Sequence, residues 1–144
     1  MCIRDSIKIA QEIDVQQIMG TKMYDGLTTA IPNIDLPANA RWKTVLDDYI
    51  APMLIWYAQS NYMPFAAYQI KNGGVFKHTS ENAQSVDKNE IDFLVEKART
   101  NAEWYSRRFI DFMSFNQTTY PEYTSNINDD IYPSNDATFN GWVL

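Results

Sequence analysis

The sequence predicts an all-α fold: a small helical bundle with a long polar loop or short hairpin at about 72–86 and an extended C-terminal arm over 117–144. Three observations predict it. Apolar residues recur at three-to-four spacing over most of the chain up to Asn116. A capping-box pair, Asp87 and Glu90, stands ahead of the longest of these stripes. After Asn116 the periodicity stops, and prolines and scattered aromatic residues take over.

The first helix is expected from about Ile7 to Met19, with Ile7, Ala10, Ile13 or Asp14, Gln17 and Ile18 on one face and Gly20 as its stop. The six residues ahead of it, MCIRDS, add nothing to that face and hold Cys2, the only cysteine. In codons they read as the mosaic-end adaptor of transposase-made sequencing libraries. Residues 1–6 are therefore expected to be an adaptor remnant on a metagenomic fragment, with the native N-terminus missing. Thr21 is expected to cap a short second helix bearing Met23, Tyr24, Leu27 and Ile31, and PNIDLPAN, with Pro32 and Pro37, is a loop.

From Arg41 a stripe of Trp42, Val45 or Leu46, Tyr49, Met53 and Trp56 or Tyr57 stays in phase across Pro52. One kinked helix is expected there, with the Asp48 carbonyl losing its partner because proline has no N–H. Pro64 marks a second break, after which FAAYQI is expected to add a helical turn or two. Asn72, Gly73 and Gly74 form a turn, Val75 to Lys77 read as a short strand, and HTSENAQS is polar and poor in helix formers. The strongest helix then carries Ile91, Leu94, Val95, Ala98, Ala102, Tyr105, Phe109, Phe112 and Met113 toward the core. The residues 7–116 form the helical domain.

Composition narrows the function. At 144 residues with 45% apolar content the chain is one globular domain, with no run of membrane-spanning length. The net charge is −6, and no lysine or arginine follows Arg108. Such a balance disfavours specific nucleic-acid binding, which needs clustered cations.

Catalytic constellations are not found. His78 is the single histidine, in a polar loop with Thr79, Ser80 and Glu81, and reads as solvated rather than as a base. Asp47 with Asp48, and Asp129 with Asp130, lack further ligands for a metal. NGG lacks the Lys-Ser or Lys-Thr of a phosphate loop. The aromatic set Trp42, Tyr49, Trp56, Trp104 and Tyr105 reads as core. No enzyme, cofactor or metal is expected.

Instead, the glycine turn (Asn72, Gly73, Gly74, Val75, Phe76) and the aromatic tail (Tyr120, Pro121, Tyr123, Tyr132, Phe139, Trp142) are the candidate contacts with other subunits. Extended aromatic segments gain order by docking, since alone they do not offset their own entropy. AQEIDVQQIMGTKMYDGL, YIAPMLIWYA, NGGVFKHTSENAQSV, KARTNAEWYSRRFIDFM and YPEY, in that order, resemble the small head-to-tail adaptor (connector) proteins of tailed bacteriophages infecting Bacteroidetes, including the crAss-like group. The resemblance implies an all-α structural protein of the virion neck, assembled in the bacterial cytoplasm as a cyclic homo-oligomeric ring beneath the portal, in contact with portal and tail or neck proteins. DNA passes through such a ring without being read. It also implies a further N-terminal segment ahead of the AQEID helix, in keeping with the adaptor remnant. The alternative is a small helical protein-binding or regulatory module of a mobile element.

Overall fold

The computed structural model describes residues 3–66, 68–71, 74–77, 87–125 and 130–134. It is an all-α bundle carrying one small hairpin. In order the elements are α1 (Ile3–Ile9), a π-helical stretch (Ala10–Val15), α2 (Gln16–Met19), α3 (Thr21–Ala30), α4 (Ala40–Val45), a second π-helical stretch (Leu46–Ile50), α5 (Ala51–Ala66), β1 (Tyr68–Lys71), β2 (Gly74–Lys77), α6 (Lys88–Phe115) and α7 (Pro121–Thr124).

The first helix begins earlier than its apolar stripe suggested. Ile3 to Ser6 form its opening turn and Ser6 is fully buried, which corrects the expectation that this stretch contributes nothing to the packed face. The face itself is also shifted. Ser6, Ala10, Val15 and Met19 are buried while Ile7 and Ile13 are exposed. The step of five from Ala10 to Val15 coincides with the π stretch, whose wider turn carries one extra residue past the core.

The same device recurs ahead of Pro52. Trp42, Val45, Ile50, Met53 and Tyr57 are buried, and the step of five from Val45 to Ile50 spans the second π stretch. The expected kink is therefore a local widening that keeps the helix in phase. The Asp48 carbonyl, expected to lose its partner to Pro52, accepts a long hydrogen bond from Arg108 Nη1 at 3.3 Å. Past Pro64 the helix runs on only to Ala66, short of the turn or two expected over FAAYQI, and the missing N–H and ring of Pro64 affect only this last turn.

At the other junction Gly20 adopts φ 80° and ψ 152°, a conformation essentially confined to glycine. It does stop the first helix. Thr21 does not cap the next one, however: Gly20 holds the cap position, and Thr21 is already helical.

Strands β1 and β2 pair antiparallel from Tyr68↔Lys77 to Lys71↔Gly74; Val75 to Lys77 form a strand as expected, whereas Gly74, expected in the turn, already belongs to β2, and Tyr68 to Ile70, expected to be helical, pair in β1. Asn72, Gly73 and residues 78–86, His78 among them, lie outside the described residues.

The capping box at the head of α6 is present. Lys88 N–H donates to Asp87 Oδ1 at 2.8 Å, and Asp87 N–H donates to Glu90 Oε2 at 3.1 Å. Contacts that run Tyr49 to Phe112, Met53 to Ser106 and Tyr57 to Ser106 show α6 lying antiparallel to the α4–α5 rod. Ala98, Ala102, Ser106, Phe109 and Met113 are its buried stripe. Leu94 is 47% exposed and Trp104 58%, so neither is the core residue expected of it. Trp104 lies almost opposite Phe109 on the helical wheel.

Inside the bundle Tyr57 OH and Ser106 Oγ are 3.0 Å apart, with Ala102 O at 2.8 Å from that Oγ. A serine hydroxyl has one proton. Tyr57 therefore donates to Ser106, which donates to the Ala102 carbonyl, and both buried hydroxyls are satisfied.

Candidate functional site

The residues expected to meet other subunits are divided by the structure. Tyr120 and Tyr123 are not held in reserve for a neighbour: Tyr120 is 2% exposed, and both belong to the core of this chain. This corrects the expectation that the segment from 117 stands apart from the bundle. Asn116 ends α6, its N–H reaching the Phe112 carbonyl at 3.1 Å, and a turn brings Tyr120 back over Trp42 and Phe112 at centroid distances of 6.3 and 5.7 Å. Pro121 opens α7 and is exposed, and Tyr123 meets Phe109 edge-on at 6.0 Å.

Arg41 locks this return. Its guanidinium donates through Nη1 and Nη2 to the two oxygens of Glu122 at 2.9 and 2.7 Å, donates to the Thr119 carbonyl at 2.9 Å, and lies 4.4 Å from the centroid of the Trp42 ring. Tyr120 OH in turn donates to the Arg41 carbonyl at 2.8 Å. The paired charge holds the Glu122 carboxyl below the usual carboxylate range and Arg41 above its own ordinary value, chiefly through their shared hydrogen bonds.

Farther along, Thr21 N–H donates to the Ile131 carbonyl at 3.0 Å and Ile131 N–H donates to Thr21 Oγ1 at 2.9 Å. Ser134 N–H donates to the Gln17 carbonyl at 3.0 Å. Buried Pro133 sits directly over Gly20, where a Cβ would come within 2.6 Å of its ring. Residues 117–125 and 130–134 thus form a clasp across α2, α3 and α4. Of the remaining candidates, Tyr132 is exposed, Gly74, Val75 and Phe76 lie in β2, and Phe139 and Trp142 lie outside the described residues.

The exposed surface holds what the sequence reading missed. Phe93, Trp104 and Phe115 stand on the outer face of α6 with 67, 58 and 88% of their surface open, and Ile55 is exposed on α5. Their positions were legible: Phe93, Trp104 and Phe115 are eleven residues apart, which brings each back to within about 20° of the last on a helix of 3.6 residues per turn. That face lies opposite the buried stripe.

For chemistry the described residues offer little. No group of three or more His, Cys, Asp or Glu side chains among them is arranged to hold a metal ion. No described helix is long and apolar enough to cross a membrane. One carboxylate is unusual: Asp14 accepts from Asn61 Nδ2 at 3.0 Å, and burial raises its pKa above the ordinary value despite that bond and the nearby Arg99 charge.

No match is found among curated proteins or among solved structures. Residues 15–132, from the first π stretch through the clasp, match the family described as "Family of unknown function (DUF6712)", and the chain belongs to that family.

Proposed function

We propose that this protein is a non-enzymatic structural subunit, a head-to-tail adaptor that assembles as a ring between portal and tail in the neck of a tailed bacteriophage. The order of the quoted segments supports the reading, and one structural observation carries it. The bundle closes its own core, yet leaves Ile55, Phe93, Trp104 and Phe115 facing water. Large apolar groups on the outside of a well-packed chain suit contacts with neighbours. The acidic balance suits a channel wall past which DNA slides, since like charge repels phosphate. Ring closure requires one patch on each copy to meet a different patch on the next.

The clasp favours a second reading, a self-contained helical protein-binding or regulatory module of a mobile element, because Tyr120 and Tyr123 are already used within the chain. The test is native mass spectrometry and negative-stain imaging of the full chain, alone and mixed with the portal protein encoded beside it. Closed rings that join the portal support the adaptor. A chain that ignores the portal and forms no ring overturns it in favour of the module.

A further inference from the structure

The outer face of α6 reads the same in both directions. Trp104 lies at its middle, with Phe93 eleven residues before and Phe115 eleven residues after. Lys97 and Asp111, both exposed, lie seven residues to either side and carry opposite charges. All five fall within about 40° of one another around a helix of 3.6 residues per turn, on the side away from Ala102 and Phe109. If a second α6 is laid antiparallel on this face, Trp104 meets Trp104, Phe93 meets Phe115, and Lys97 meets Asp111 at both ends.

We propose that this face is a two-fold contact between two copies of the chain, with α6 packed antiparallel on α6. An isologous interface requires one surface to be complementary to itself, residue i meeting j while j meets i. A face with matched aromatic groups but like charges at the mirrored positions would repel its copy. Here the charges are complementary.

The size also fits. From Phe93 to Phe115 the face runs about 33 Å at 1.5 Å per residue. The open parts of its three aromatic side chains amount to roughly 400 Å², given the 150–250 Å² that such residues bury when fully covered. That is about half of what one partner contributes to a standard interface of about 800 Å², and the polar residues between the anchors supply further area. A tryptophan at the centre of the contact, Trp104, is where binding hot spots concentrate, with Phe93 and Phe115 at the two ends. The contact is isologous, whereas a cyclic ring closes through heterologous contacts, so it takes Phe93, Trp104 and Phe115 away from the ring reading, which then stands on Ile55 and the order of the sequence segments.

The test uses the full chain and two exposed charges that take no part in the core. The parent is expected to dimerise reversibly between about 1 and 100 µM, a range typical of modest association, as read by sedimentation equilibrium and native mass spectrometry. Lys97→Glu alone and Asp111→Lys alone each place like charges together at both ends, and each is expected to weaken the dimer about tenfold or more. An equimolar mixture of the two variants restores both opposite-charge pairs, so heterodimers of the two masses should form at close to parental affinity. Trp104→Ser should abolish the dimer while leaving the helical circular dichroism in place. A parent that stays monomeric at 100 µM overturns the proposal, as does an assembly of any size that tolerates both reversals. Dimerisation only after truncation behind Ser134 also overturns it, since the face would then belong to the chain's own C-terminal residues. Loss of the two-fold contact with portal-bound rings intact would leave the adaptor reading standing, and the converse result would remove that reading alone.

Discussion

Replacing Gly20 by alanine should damage this protein more than the same exchange at Gly26, where the new methyl would meet only the Trp42 ring at 3.0 Å. Two effects add. The backbone at φ 80°, ψ 152° lies in a region that costs a residue with a Cβ about 1–3 kcal/mol. The new methyl would also stand 2.6 Å from Pro133 Cγ and 2.8 Å from its Cδ, closer than any real contact, so the clasp must move away. Three hydrogen bonds hold that part of the clasp: Thr21 to Ile131, Ile131 to Thr21, and Ser134 to Gln17. At about 1 kcal/mol each, losing one or two brings the total to about 2–5 kcal/mol. For a chain of this length the melting temperature should fall by roughly 6–20 °C. Urea melts followed by far-ultraviolet circular dichroism measure it. Asparagine at the same position should be no better, since its tolerance is for the left-handed helical region and not for this one. Combining Gly20→Ala with Pro133→Ala should recover the steric part and leave the backbone part, a non-additivity that a double-mutant cycle isolates. A Gly20→Ala variant within about 0.5 kcal/mol of the parent, the range of ordinary surface changes, would mean that neither the backbone at Gly20 nor the packing of Pro133 constrains the fold.

Three further outcomes are expected. Phe109→Ala, at a fully buried position against Tyr123, should cost about 3–5 kcal/mol in a urea melt, whereas Leu94→Ala, half exposed, should cost less than about 1 kcal/mol; equal effects would mean that the buried stripe is misplaced. Asp14→Asn should raise the melting temperature at pH 7. The folded state holds its proton at a higher pH than the unfolded chain does, so the carboxylate opposes folding above the raised pKa and the difference from Asn should close as the pH falls toward the unfolded value near 3.8. An unchanged or lowered melting temperature at pH 7 would show that the burial cost is already offset by Asn61 and Arg99. Truncation after Asn116 removes Tyr120, Tyr123 and the Glu122 partner of Arg41, and should lower the thermal stability of the remaining helices; an unchanged thermal transition would show that the clasp only decorates the bundle.

The sequence by itself determined the helices, because local spacing and backbone chemistry suffice for them. The stop at Gly20, the capping box at Asp87 and Glu90, the single rod passing through Pro52 and the strand at Val75 to Lys77 all follow from residues within a few positions of one another. The tertiary structure decided which faces are buried and who partners whom. A strict 3.6-residue reading put Ile13 on the buried face because it does not anticipate a π turn, although steps of five from Ala10 to Val15 and from Val45 to Ile50 were there to be seen. Leu94 looks like a core residue by its spacing and is nonetheless half exposed, whereas the place of Trp104 opposite the buried stripe was legible from its spacing to Phe109. Tyr120 and Tyr123 look like anchors for another chain, since nothing near them in sequence can cover them. Their cover comes from Trp42, Phe109 and Phe112, and the cation that secures them from Arg41, 81 positions before Glu122. Local periodicity carries no information about such distant pairings, which exist only once α6 has folded back antiparallel on the α4–α5 rod and returned the chain to its start.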